Sequence, residues 1–94
     1  MSKYYVYILA SKRNGTLYVG MTKELRSRIQ GHRGRKKGGF TSEYEVHELV
    51  YFEKCPDKQT AMMREKQLKH WNRRWKMRLI EQLNPKWEDL YNKI

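Results

Sequence analysis

The apolar positions alternate with period two at the start of the chain and recur at helical spacing further on. In residues 4–10, YYVYILA, Tyr5, Tyr7 and Leu9 fall on one strand face and Tyr4, Val6 and Ile8 on the other. Asn14-Gly15 is a hairpin signal. Residues 16–20, TLYVG, read as the returning strand, with Leu17 and Val19 on one face and Tyr18 on the other. Thr22 is placed to cap a helix, with Glu24 in the first turn where the helix dipole favours an acid. That helix runs to about Arg33, with Leu25 and Ile29 as its apolar stripe. Residues 33–40, RGRKKGGF, read as a basic loop, and residues 46–53, VHELVYFE, as a third strand. Pro56-Asp57 ends that strand, and Asp57 caps a second long helix reaching about Trp71. Asn72 caps a third, with Trp75, Leu79 and Leu83 on one stripe and Ile80 beside it, stopped by Asn84-Pro85. The tail adds a turn that docks Trp87 and Leu90. Without repeats or linkers, the pattern predicts one α+β domain over residues 1–94: a small three-stranded antiparallel sheet flanked by three or more helices.

Charge narrows the partner. Lys and Arg outnumber Asp and Glu by 21 to 10, a formal net charge of +11. A surplus of this size calls for a polyanion, either nucleic acid or an anionic membrane face. No apolar run reaches transmembrane length, the first apolar stretch is too short for a secretory signal, and no lipidation motif is present. Nucleic acid is the better match, and no membrane role is expected. Cys55 is the single cysteine, which excludes a disulfide framework within one chain and suits a cytoplasmic setting. It reads as a space-filler before Pro56.

Two charged residues and a histidine sit where apolar ones are expected. On the second long helix, Glu65 lies between Ala61 and Leu68, on the stripe shared with Met62. On the first helix, Arg28 and His32, four apart, fall within about 60° of Leu25. Buried charges are costly unless paired or metal-bound. An Arg28–Glu65 ion pair, or side chains reaching round to solvent, would account for them as well as a functional site would. Tyr7 and Tyr18 lie on adjacent strands on either side of the hairpin, where they can face the same way. Two hydroxyls, an arginine, a histidine and a carboxylate suit phosphodiester cleavage. Arg28 could hold a phosphate. Glu65 could hold one Mg²⁺, which needs few carboxylates and keeps several waters. A tyrosine or His32 could take the proton from an attacking water. Cationic neighbours would have to lower a tyrosine pKa for that role.

On these residues the chain resembles the GIY-YIG nuclease superfamily, in its small stand-alone bacterial form. The two name-giving tripeptides correspond to Tyr5-Val6-Tyr7 and Tyr18-Val19-Gly20. Arg28, His32 and Glu65 follow in the family's order, and REKQLKHW, a basic helix and LNP complete a likeness covering nearly the whole chain. The resemblance implies a three-stranded antiparallel sheet, one divalent ion (Mg²⁺ or Mn²⁺) and hydrolysis of DNA phosphodiesters, as in repair or recombination. It implies Tyr7 or Tyr18 as general base, Arg28 on the phosphate, His32 as helper in proton transfer and Glu65 as metal ligand. Gly20 would let the strand end and the helix begin closely. Tyr5 departs from the pattern, standing where the family has glycine, and valine replaces isoleucine in both tripeptides. Asn84 matches, loosely, a polar residue the family places near the site.

Lys12, Arg13, Arg26, Arg33, Arg35, Lys36, Lys37, Arg73 and Arg74 are the candidate nucleic-acid contacts, with DNA preferred over RNA as partner. Such contacts hold phosphates without reading sequence and weaken steeply with salt. Any one of them alone is ordinarily a solvated side chain. Trp71, Trp75 and Trp87 could stack bases, although packing is the ordinary role of each. His47 and His70 read as surface or structural. The many family members with a separate targeting domain suggest that affinity here comes from the domain's own bases, a homodimer or a protein partner. Two other classes compete: a non-catalytic nucleic-acid-binding module with a relict site, and an adaptor whose tryptophans form its interface.

Overall fold

A computed structural model describes residues 3–12, 15–34 and 46–94, with the side chains of 32–34 excepted. The predicted basic loop at 35–40 lies outside these residues. The elements run β1 (Tyr4–Ala10), β2 (Leu17–Thr22), α1 (Leu25–Gly34), β3 (Glu48–Cys55), α2 (Lys58–His70), α3 (Arg73–Leu83) and a 3-10 helix (Leu90–Lys93). The sheet is antiparallel in the order β2-β1-β3. The predicted α+β class therefore holds. Among the described residues no helix is long and apolar enough to cross a membrane.

Alternation along β1 divides the interior in two. Val6, Ile8 and Ala10 point to one side, where Ala61 and Leu68 of α2, Ile80 of α3 and Trp87 cover them. Tyr7 and Leu9 point to the other, against Leu25 and Ile29 of α1. β1 is the central strand, and this burial on both faces explains its nearly unbroken apolar sequence.

The hairpin closes through Ser11 N–H to Thr16 O (3.0 Å) and Gly15 N–H to Lys12 O (2.9 Å), so Gly15 is the last residue of a four-residue turn. β2 runs two residues past the predicted end. The Thr22 hydroxyl accepts from Glu24 N–H (3.1 Å), and Arg28 N–H bonds Glu24 O (3.0 Å). Thr22 thus closes the turn before α1, and Glu24 occupies the flanking cap position instead of the first turn. The predicted caps of the other helices hold: Asp57 accepts from Thr60 N–H (2.8 Å) and Asn72 from Trp75 N–H (2.9 Å).

β3 begins two residues later than predicted and carries a bulge. Ile8 pairs with Tyr51 and Leu9 with Leu49, leaving Val50 as the extra residue. The Val50 carbonyl accepts from Nδ2 of Asn84 (3.1 Å), which also bonds Glu88 O (2.8 Å), while Glu88 N–H returns to Asn84 Oδ1 (2.9 Å). This buried amide fixes the end of α3 against the bulge and turns the chain into the tail. Trp87, the following buried residue, has a positive φ of 57° and donates to Glu81 (2.7 Å). Asp89 accepts from Leu49 N–H (3.1 Å) at the outer edge of β3, so the tail covers that edge.

Two predicted stripes are rotated. Met62 is 51% exposed, and Trp75 and Leu83 are 50% and 73% exposed, whereas Ile80 is fully buried with the predicted Leu79 and the unpredicted Met77 partly buried beside it. α3 is turned by roughly 100° from the predicted face. Its apolar residues cover more than half its circumference, so the anchored Asn84 and Ile80 decide which of them face inward.

Candidate functional site

The site grows from a close approach between two strands. Tyr7 of β1 stands opposite Gly20 of β2, and Leu9 opposite Tyr18. Tyr7 and Tyr18 are therefore diagonal neighbours on one face, with ring centroids 6.4 Å apart and planes tilted by 42°. The Tyr7 ring lies across Gly20: a methyl group there would meet Tyr7 Oη at 2.6 Å, Tyr7 Cζ at 2.7 Å and Tyr18 Cε2 at 3.1 Å. Gly20 is needed for that reason. It sits inside β2, two residues before its end, and makes room for two phenol rings; it does not mark the junction of strand and helix.

Tyr7 is buried at its ring, while Arg28 is an exposed residue of α1. Burial, and after it the neighbouring Tyr18, push the Tyr7 phenol well above its ordinary range; Arg28 pulls the other way, and Glu65 adds a smaller push upward. The lowering that a base role requires is not met at Tyr7, although Arg28 acts in that direction. Desolvation outweighs a guanidinium that is itself in solvent. Tyr7 is a neutral phenol at neutral pH, suited to hydrogen bonding. Of the five candidates, Tyr18, Arg28 and Glu65, from three further elements, each bear on the charge of the Tyr7 phenol. The fifth, His32, lies on α1 one turn after Arg28, and its side chain is outside the described residues.

Glu65 stands on α2, which packs on the face of the sheet opposite Tyr7. Ala61 and Leu68 are the buried residues of that helix. Glu65 and Arg64 flank them on either side, at roughly +40° and −60° from Ala61. Glu65 keeps 23% of its side chain exposed and lies 3.2 Å from Nζ of Lys69, four residues on. It is half-buried and paired along its own helix, so neither a fully buried carboxylate nor an Arg28–Glu65 ion pair describes it. Among the described residues no group of three or more His, Cys, Asp or Glu gathers as a metal cage. One accessible carboxylate that already accommodates a cation does fit a single water-rich Mg²⁺ or Mn²⁺.

On the other flank, Arg64 donates from Nε to Glu53 (2.9 Å) and from Nη1 to Gln67 (2.7 Å), and Glu53 accepts the Tyr51 hydroxyl. Sequence reading missed this cluster; Glu53 alternating with Tyr51 on a predicted strand was its one signal. Cys55 lies nearby, buried, and burial first and the Glu53 charge second raise its thiol pKa, which suits a space-filling role.

Tyr5 packs edge-on against Phe52 at 6.4 Å, so it stacks beside the site face. Asn84 is the structural anchor described above. His70 bonds Lys66 O through Nδ1 (2.8 Å), a helix-surface contact, and His47 is partly buried just before β3. Among the expected phosphate contacts, Arg26 lies over the Tyr91 ring at 5.6 Å, on the side of α1 away from Arg28. Lys12 and Arg74 are exposed, and Arg73 hydrogen-bonds Gly15 O, joining α3 to the hairpin. Arg13, Arg35 and Lys36, with Lys37, lie outside the described residues, as does the Arg33 side chain.

The GIY-YIG catalytic domain family matches residues 3–78. The chain is 38% identical to the UPF0213 protein SH2523 of Staphylococcus haemolyticus and 34% to the UPF0213 protein SSP2268 of Staphylococcus saprophyticus. Each match spans 82 residues, 87% of this chain and 99% of the relative. The solution NMR structure of the UPF0213 protein BH0048 from Bacillus halodurans superposes with a TM-score of 0.57 at 31% identity, over 93% of this chain and 92% of that one.

Proposed function

Because the chain belongs to the GIY-YIG family, a family of nucleases, we propose that it hydrolyses DNA phosphodiester bonds with one divalent metal ion, in DNA repair or recombination. One observation carries this reading: Tyr7 and Tyr18 stand with ring centroids 6.4 Å apart over a glycine that a methyl group would close, and the charges of Arg28 and Glu65 act on the Tyr7 phenol.

Arg28 holds the scissile phosphate from solvent and offsets the charge that builds as water adds to phosphorus. Tyr7, kept neutral by burial, orients the attacking water by hydrogen bonding. Tyr18 or His32 accepts the proton that water loses, while the phosphorus–oxygen bond opposite breaks and its oxygen leaves to be protonated. Glu65 would hold the metal, which when bound supplies charge stabilisation at the phosphate and leaving oxygen. Gly20 keeps the two phenols in place. Lys12, Arg73 and Arg74, with the other basic candidates, attract the phosphate backbone.

The test is cleavage of single-stranded, duplex, flapped and branched DNA at low salt, with and without Mg²⁺ or Mn²⁺, by wild type and Glu65→Gln. Metal-dependent cuts that vanish in the variant support the reading and identify the substrate; RNA of matching structure tests the preference for DNA. One observation favours the rival binding module: Lys69 pairs with Glu65 where the metal would sit. Salt-sensitive binding by both proteins, with no turnover under any metal, would establish that rival.

A further inference from the structure

The rotation of α3 leaves an aromatic surface uncovered. Trp75 is half exposed, and its ring meets Trp71 edge-on, with centroids 5.6 Å apart and planes at 88°. Trp71 is itself braced: the Arg64 guanidinium, held by Glu53 and Gln67, lies 5.3 Å from its ring centroid. Asn72 fixes the Trp75 backbone. The platform is thus rigid before any ligand arrives, which lowers the ordering cost of binding.

A groove of about 230 Å³ opens here between Trp71, Trp75, Arg78 and Leu79. Beside it lies a second of about 490 Å³, lined by Arg73, Arg74, Met77, Arg78 and Glu81. Arg78 borders both. Burial, and after it the nearby Arg73, lower the Lys76 pKa. Glu81, the one acid of the second groove, accepts the Trp87 indole N–H.

We propose that α3 carries a subsite for single-stranded nucleic acid, in which one unpaired base stacks on Trp75 and Arg78, with Arg74, holds the flanking phosphates. A flat apolar surface bordered by guanidiniums matches a nucleotide: the ring takes the base and the arginines take the anion. A duplex cannot use the platform, because its base faces are already stacked on one another. A second copy of this chain is a poor occupant, since each copy carries a formal net charge of +11 and the groove's arginines would face their own kind. The proposal deepens the function above by giving the substrate a single-stranded stretch. It rests on that reading for a phosphate-bearing ligand and does not depend on cleavage.

The experiment is fluorescence anisotropy at low salt without divalent metal. The probes are labelled oligothymidylate of about ten nucleotides, within the usual range of single-strand site sizes, an abasic oligomer of the same length, and a duplex of the same length. Trp75→Ala should weaken oligothymidylate about tenfold, the scale of one base–aromatic stack, and leave abasic and duplex binding unchanged. Trp75→Phe, which keeps a flat ring, should retain most of the affinity, and Arg78→Ala should weaken oligothymidylate and abasic strands alike. Oligothymidylate, unlike the abasic strand, should quench tryptophan fluorescence, a readout that serves even if Trp75→Ala folds poorly. No loss in a folded Trp75→Ala, or equal loss on all three probes, overturns the subsite. A change in sedimentation without a change in single-strand binding assigns the groove to a second copy and also overturns it. The nuclease reading fails separately, through a silent Glu65→Gln comparison in the cleavage assay.

Discussion

Glu53 and Glu65 are two carboxylates beside the same helix, nearly equal by the usual measures. Their side chains are 25% and 23% exposed, and each lies close to a cation, at 2.9 Å and 3.2 Å. Their surroundings differ. Glu53 receives the Tyr51 hydroxyl and the Arg64 guanidinium, and Arg64 is secured in turn by Gln67 and the face of Trp71. Glu65 has Lys69, whose side chain is 51% exposed on a flexible stem. Equal burial does not mean equal availability. A carboxylate whose partners are themselves held is a latch, and one whose partner swings in solvent can exchange it for a metal ion or release it.

Four experiments test that contrast. The largest effect expected is on catalysis. Glu65→Gln should lower cleavage by about a thousandfold or more, corresponding to about 4 kcal/mol of transition-state stabilisation, with the melting temperature unchanged. Glu53→Gln should do the reverse, costing about 2 kcal/mol in denaturant unfolding by leaving Arg64 without its charge partner, while the folded enzyme still cuts. If Glu53→Gln abolishes cutting at unchanged stability while Glu65→Gln destabilises the fold, the latch and the metal site have been assigned the wrong way round.

Asn84→Ala extends the comparison to an anchored group that carries no charge. It removes three hydrogen bonds in a buried place, and about 3 kcal/mol should be lost in urea unfolding. A loss of activity at unchanged stability would return Asn84 to the site.

The latch also has a pH signature. Burial, followed by the hydrogen bond from Tyr51 to Glu53 and the Glu53 charge, pushes the Tyr51 phenol up to about 12 from its ordinary 10.0. The fold therefore prefers the protonated phenol. That contribution is fully present below pH 10.0 and is lost as the pH rises through about 12. Tyr7 acts with the same sign, so the difference between wild type and Tyr51→Phe isolates Tyr51. The variant should show a shallower fall in stability over that window, and parallel curves would mean the hydroxyl is not held as described.

The smallest effect belongs to Lys69. An exposed pair four residues apart on a helix contributes about 0.3–0.5 kcal/mol, so Lys69→Ala should change unfolding by no more than that. It should tighten Mg²⁺ or Mn²⁺ binding in calorimetry, because the competing cation is gone. Weaker metal binding would make Lys69 part of the site.

Much of the molecule could be read directly. The alternation of Tyr4 to Ala10 assigned each residue to its face, because a central strand has one consistent choice. Asp57 and Asn72 announced their helices, since a side chain that satisfies a free N–H acts over three residues. Tyr7, Tyr18, Arg28 and Glu65 were found because each is a polar group on or beside an apolar stripe. Trp75 was misplaced because α3 is apolar around most of its circumference, so its own periodicity does not choose a face.

The sequence by itself determined the elements, their caps and the candidate residues, all of which depend on neighbours a few positions apart. Tertiary structure decided how far each helix turns about its axis and which charged groups meet, and so separated Glu53 from Glu65 and exposed Trp75. It also supplied the reason for Gly20, the phenol of Tyr7 lying across it. These depend on contacts between residues distant along the chain, where packing and desolvation outweigh local preference.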